Sequence, residues 1–169
     1  MQTTSAHPIQ LFITGGTIDK DYQTTSGELY FAESHLPKLL KQANSTLTIE
    51  TSVLMQKDSL EMTERDRLLI CQSCIESSSN QIVITHGTDS MVETAILLAQ
   101  QTDLQHKTIV LTGAMRPFML GSSDASFNIG SALMAVQTTS PAIYIVMNGQ
   151  LFNAMQVKKD LQQGLFVKT

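Results

Sequence analysis

Short strand-like runs alternate with stretches of helical spacing along most of this chain. The runs are residues 10–14, 48–54, 81–85, 108–112 and 142–147, and several are apolar throughout, as in Ile143-Tyr144-Ile145-Val146-Met147. A uniformly apolar strand has both faces buried, and helices are the usual cover. The segments 34–42, 64–77, 90–101 and 126–138 carry apolar residues at three- and four-residue intervals and predict those helices. Thr63 with Asp66 three residues on predicts a capping box, and Asp89 is placed to cap the helix that starts at Ser90. A βαβ series of this kind predicts an α/β fold, a three-layer sandwich with a central, mainly parallel sheet.

Two stretches break the rhythm. Residues 19–29 are polar, include Gly27 and lack helical periodicity, which predicts a loop over the end of the first strand. Residues 117–124 form a second long connection. Both leave the carboxyl ends of strands, where open α/β sheets assemble ligand sites and where lids belong.

Composition narrows the function classes. The 169 residues carry a net charge of −4 and a pI near 5.5, which gives no support for nucleic acid or an anionic membrane as partner. No apolar run approaches the roughly 20 residues that span a bilayer. The start, Met1 to Pro8, is polar and lacks the basic and apolar regions of a signal peptide, so a cytoplasmic location is expected. Cys71 and Cys74 lie inside a predicted helix, on one face with Leu68 and Ile75. Buried thiols are therefore favoured over a redox pair or a zinc site.

The chemistry concentrates in Thr14-Gly15-Gly16-Thr17-Ile18 and His86-Gly87-Thr88-Asp89, each directly after a strand-like run. The Gly-Gly pair lacks the spacing of a phosphate loop, and neither Lys-Ser nor Lys-Thr follows it. It reads as a tight turn, or as one that exposes the Thr17 hydroxyl without Cβ crowding. A threonine hydroxyl needs a neighbour to take its proton before it is a useful nucleophile. Tyr30, Lys159 and, through another hydroxyl, Asp89 are the candidates, although a lone lysine near a chain end more often reads as solvated. His86 reads as structural, while His7, His35 and His106 are isolated and expected in solvent. No cluster has metal-ligand spacing, so neither a metal nor another cofactor is expected, and the nine methionines read as fillers of core and lid.

These motifs, with 110–117, Asp124, Phe127-Asn128 and Val146-Met147-Asn148, resemble the N-terminal domain of the bacterial-type L-asparaginases. Members of that family are threonine amidohydrolases acting on asparagine and sometimes glutamine. The resemblance runs from about residue 10 to 160. It implies a Rossmann-like or flavodoxin-like domain spanning 1–169, and catalytic roles for Thr17 (nucleophile), Thr88, Asp89, Lys159 and Tyr30. It also implies substrate binding by Ser59 at the α-carboxylate, Asp89 at the α-ammonium, and Ala114. The implied partner is a small amino-acid amide, in a homo-oligomer (dimer or tetramer). Leu60 departs from the family, which has a glutamine there, and family members carry a second, C-terminal domain. The alternatives are an amino-acid-binding module with weak or no catalysis and, in another class, a nucleotide-binding domain, against which the missing phosphate loop argues.

Overall fold

The computed structural model describes residues 8–169. Strand β1 (Ile9–Gly15) leads through a 3-10 turn (Thr17–Asp19) into a hairpin of β2 (Lys20–Gln23) and β3 (Glu28–Phe31). Helix α1 (Leu36–Gln42), strand β4 (Ile49–Lys57), helix α2 (Glu64–Glu76) and strand β5 (Gln81–Thr85) follow. Then come α3 (Met91–Ala99), β6 (Thr108–Thr112), α4 (Ala125–Thr138) and β7 (Ala142–Met147). The described chain ends with β8 (Gln150–Asn153), β9 (Val157–Asp160) and β10 (Leu165–Lys168).

The central sheet has the order β4-β1-β5-β6-β7-β8. Its first five strands are parallel and β8 is antiparallel to β7. Counted alone in chain order, the parallel strands run 2-1-3-4-5, the flavodoxin-like arrangement. Alternation along β1 divides its side chains between two cores. Ile9, Leu11 and Ile13 pack with Leu36 and Leu39 of α1 and Ile129 and Leu133 of α4. Phe12 packs with Ile82 and Ile84, under Ile70 and Cys74 of α2 and Met91 and Leu98 of α3. Each fully buried Leu or Ile contributes roughly 1.5–3 kcal/mol of transfer free energy, and this two-sided burial holds the sheet between its helices.

The strands at 81–85, 108–112 and 142–147 have the predicted bounds, and all four helices form. The expectation of a loop over 19–29 is corrected, because a β-hairpin occupies that stretch. Its turn, Thr24 to Gly27, closes with Gly27 at positive φ and its N–H on the Gln23 carbonyl (2.8 Å). The β9–β10 turn repeats this design, with Gly164 N–H on the Asp160 carbonyl (2.8 Å). The glycine closing a four-residue turn was the sequence signal for both hairpins.

Other corrections are local. Leu68 is exposed, and Ile70 takes its place beside Cys71 and Cys74 in the core. Both thiols are free and buried, and burial pushes the Cys74 thiol up to about 12. Asp89 does not cap α3; Ser90 holds the N-cap position, and its hydroxyl donates instead to the Ser59 carbonyl (2.7 Å). His35 is not in open solvent, since its ring is only 13% exposed and lies 3.6 Å from the Asp21 carboxylate. His106 is exposed, and His7 lies outside the described residues.

At the end of β5, His86 is fully buried. Its Nδ1 faces the Gly87 carbonyl at 2.7 Å and its Nε2 faces the Thr94 hydroxyl at 2.8 Å. This geometry assigns the proton to Nδ1 and leaves Nε2 to accept from Thr94. Burial lowers the His86 pKa to about 4, so the ring is neutral and ties the strand end to α3. A folded-state value below the unfolded 6.5 means that the unfolded chain binds the extra proton between those limits. The stabilisation is complete above pH 6.5 and is lost as pH falls toward 4, by about 3 kcal/mol. Urea unfolding across that window should show the parent losing more stability than His86→Gln.

The capping box of α2 is complete. The Thr63 hydroxyl accepts from Asp66 N–H (3.3 Å), and the Asp66 carboxylate accepts from Thr63 N–H (2.8 Å). Lys57 adds a hydrogen bond that, with the Thr63 amide, pushes the Asp66 carboxyl down to about 2. Thr63→Ala should cost about 1 kcal/mol in equilibrium urea denaturation, with the denaturant slope unchanged.

Candidate active site

From β1 the chain crosses to β4 on one side of the sheet, and from β4 it returns across β1 to reach β5 on the other. The carboxyl ends of β1 and β5 therefore flank the point where the strand order reverses, the place where such sheets form a crevice. Thr17 follows β1, and Thr88 follows β5.

The two turns meet at glycines. A Cβ on Gly16, whose φ is +79°, would lie 2.5 Å from the Gly87 nitrogen. A Cβ on Gly87 would lie 2.5 Å from Cβ of Ser59 and 2.7 Å from its hydroxyl. The turns after β1 and β5 thus pack backbone to backbone at Gly16 and Gly87, and Gly87 leaves just enough room for the Ser59 side chain from the turn after β4. Gly16 N–H also donates to the Lys57 carbonyl (2.9 Å), which fixes the β1 turn to the end of β4. Hydroxyls staple the neighbouring strand ends: Thr14 donates to the Thr85 carbonyl (2.7 Å) and Thr112 to the Val146 carbonyl (2.8 Å).

Lys159 arrives from the β9–β10 hairpin. Phe166, its partner across the hairpin, and Val157 are buried in the same core as α3, and they anchor the hairpin there. The Lys159 side chain is 9% exposed, and its Nζ lies 2.9 Å from Thr88 Oγ1 and 2.5 Å from Asp89 Oδ1. The Asp89 carboxylate is 41% exposed, so one edge of this cluster faces solvent. Ser59, almost fully buried, accepts the Asp89 N–H at 3.3 Å, and among the described residues its own hydroxyl proton has no hydrogen-bond acceptor. Thr88, Asp89, Lys159 and Ser59 are thus brought together by direct hydrogen bonds.

Thr17 joins them through backbone packing rather than through its side chain. It is half-buried, and its hydroxyl has no protein hydrogen-bond partner among the described residues, nor do the N–H groups of Thr17 and Thr88. Tyr30 sits on β3, 41% exposed, and hydrogen-bonds to none of these groups. Ala114 follows β6 with its methyl in the core, so it can offer a ligand only its backbone. The Leu60 side chain stands in solvent beside Ser59.

One neighbour escaped sequence reasoning. Lys20, at the base of the first hairpin, forms an ion pair with Asp58, directly before Ser59. The Lys20 hydrogen bond holds the Asp58 carboxyl below its usual range. The two residues are 38 positions apart, and no local pattern announces the pairing.

A protein-family model described as asparaginase, N-terminal, matches residues 8–165. The chain is 31% identical over 148 residues to one subunit of the glutamyl-tRNA(Gln) amidotransferase of Methanococcus vannielii, covering 85% of this chain and 34% of that protein. It is 29% identical over 167 residues to a glutaminase-asparaginase of Acinetobacter glutaminasificans, covering 90% of this chain and 50% of that one. The thermostable L-asparaginase of Thermococcus kodakarensis superposes with a TM-score of 0.84 at 27% identity, over 95% of this chain and 51% of that structure. The chain thus spans a third to a half of the length of these relatives. With the family model matched over nearly its whole length, and the two threonine motifs at the strand-order reversal, the chain belongs to the asparaginase family.

Proposed function

We propose that this chain carries the chemistry of an L-asparaginase-type amidohydrolase, hydrolysing the side-chain amide of L-asparagine to L-aspartate and ammonia through Thr17. The observation that carries the reading is the single amine of Lys159 bonded to both Thr88 and Asp89. In its unprotonated form that amine can take a proton from the Thr88 hydroxyl, while the Asp89 carboxylate orients it, the logic of a nucleophile–base–orienter set.

The reaction is acyl transfer. The Thr17 oxygen bonds to the amide carbon, its proton passes to the neighbouring base, and the C–N bond breaks as the nitrogen leaves protonated, as ammonia. Water then attacks the resulting ester, releases aspartate and returns the proton to Thr17. The free N–H groups of Thr17 and Thr88 suit the oxyanion that forms at the carbon, an effect worth several kcal/mol when the donors are preorganised. Asp89 balances the α-ammonium of the substrate, and the Ser59 hydroxyl donates to its carboxylate. Tyr30 would act as a base for Thr17 only with the first hairpin closed over the substrate.

A homo-oligomer in the cytoplasm belongs to the same proposal. Phe127 and Met134 on the outer face of α4, each 62% exposed, form an apolar surface that a second copy could cover. A second reading, an amino-acid-binding module, is supported by the half-exposed Asp89 carboxylate beside Ser59, a pair that could hold an amino acid without turning it over.

Ammonia release from a panel of amides including asparagine and glutamine tests the proposal. Thr17→Ala and Thr88→Ala should each lower turnover about 10³-fold or more, with thermal unfolding little changed for half-buried Thr17 and stability lowered by about 1 kcal/mol for buried Thr88, which loses its hydrogen bond from Lys159. Asp89→Ala should weaken aspartate binding roughly ten- to a hundredfold, about 1.5–3 kcal/mol for a lost charged hydrogen bond. Ammonia release by Thr17→Ala equal to the parent's would sink the nucleophile assignment. Aspartate binding by a parent that turns over no amide would establish the binding module instead.

A further inference from the structure

Asp19 is the only fully buried carboxylate among the described residues, and it lies two positions after Thr17. Its partners are neutral donors. The Ser34 hydroxyl lies 3.0 Å from both carboxylate oxygens, and His35 N–H donates to Oδ1 at 2.9 Å. Burial pushes this carboxyl above its usual range, against the opposing pull of the His35 amide and the Ser34 hydroxyl. Desolvating a carboxylate without a full ion pair is costly, so its place in the fold needs a reason beyond packing.

The reason lies in what it joins. Asp19 N–H donates to the Gly16 carbonyl (3.1 Å), which makes the carboxylate a rigid extension of the turn that bears Thr17. Ser34 and His35 stand where the chain returns from the first hairpin and enters α1. Residues 20–33 therefore leave and return through one clasp. Asp21 lies 3.6 Å from the His35 ring on the outer side of it, and Lys20 ties the first strand of the hairpin to Asp58. Lys20 Nζ also sits 5.7 Å from the Phe31 ring centroid, across the base of the hairpin.

We propose that Asp19 is a positioning residue: it clasps the base of the β2–β3 hairpin to the Thr17 turn and so sets together the direction of the Thr17 hydroxyl and the seat of the hairpin that carries Tyr30. The catalytic half of this statement rests on the proposed role of Thr17. The mechanical half does not.

Asp19→Ala, Asp19→Asn and Ser34→Ala in the 169-residue chain separate the two halves, read by amide hydrogen exchange and by ammonia-release kinetics. In Asp19→Ala, exchange in peptides from residues 17–33 should accelerate at least about tenfold while peptides from α3 and β7 stay at the parent rate. Its kcat should fall at least about tenfold with KM within about threefold, the signature of a displaced reacting group rather than lost binding. Asp19→Asn keeps an acceptor for His35 N–H and a polar partner for Ser34, so it should restore both readouts to within about threefold of the parent. Ser34→Ala removes one of the two donors and should fall between. If Asp19→Ala does not fold, Ser34→Ala and Asp19→Asn carry the test.

Exchange that rises equally everywhere, or not at all in 17–33, would overturn the clasp. A loosened hairpin with unchanged kcat would overturn the positioning of Thr17. A parent without amidase activity would defeat the proposed function, and the exchange arm would still decide the clasp.

Discussion

The close contact of the three loops at Gly16, Gly87 and Ser59 is the constraint on which the rest of the site depends. Only glycine at positions 16 and 87 lets the ends of β1 and β5 close onto the turn after β4, since a Cβ at either would meet atoms at 2.5 Å. With those turns in contact, Thr17 and Thr88 follow directly on adjoining turns at the reversal of strand order. The hydroxyl staples of Thr14 and Thr112 serve the same end, because they tie adjacent strands together where the sheet ladder stops.

Around that contact sit a buried neutral ring and a pair of side chains that joins two distant parts of the chain. His86 is buried deeply enough to stay neutral at physiological pH, and it spends both ring nitrogens on structure. Lys159 and Asp89 form a close pair, with the amine sheltered and the carboxylate open to solvent. Under the proposed function, the exposed Asp89 carboxylate would exchange part of its pairing for the substrate's ammonium. Lys20 and Asp58 make a second pair one residue from Ser59, so the serine lies between two ion pairs that come from different loops.

Two hairpins frame this centre, and each depends on tertiary contacts for its orientation. The β9–β10 hairpin is seated by Phe166 and Val157 in the α3-side core, and that seating brings Lys159 to a threonine 71 residues earlier. The β2–β3 hairpin buries no comparable apolar pair; all of its residues but those at its base are exposed, and ion pairs, the Asp19 clasp and packing of β2 against residues 118–120 hold it. Local opening of the first hairpin is therefore opposed by polar bonds more than by apolar burial.

Strand and helix positions were legible in the chain because burial on two faces demands uniformly apolar strands, and helices over them demand a 3.6-residue repeat. The runs at 81–85, 108–112 and 142–147 followed from that demand alone, and the Thr63–Asp66 cap from local hydrogen-bond chemistry. The threonine motifs were legible too, since a polar Gly-Thr turn after a buried strand has few other uses. Charge pairing was not. Asp89 was a sensible cap for α3 until Lys159 claimed its carboxylate, and His35 looked solvated until the hairpin folded back beside it. Such partners lie tens of residues apart, and their pairing energy depends on distance and desolvation, which only the folded chain defines. The sequence by itself determined the layers and the residues at the strand ends; the tertiary structure decided which of those residues touch.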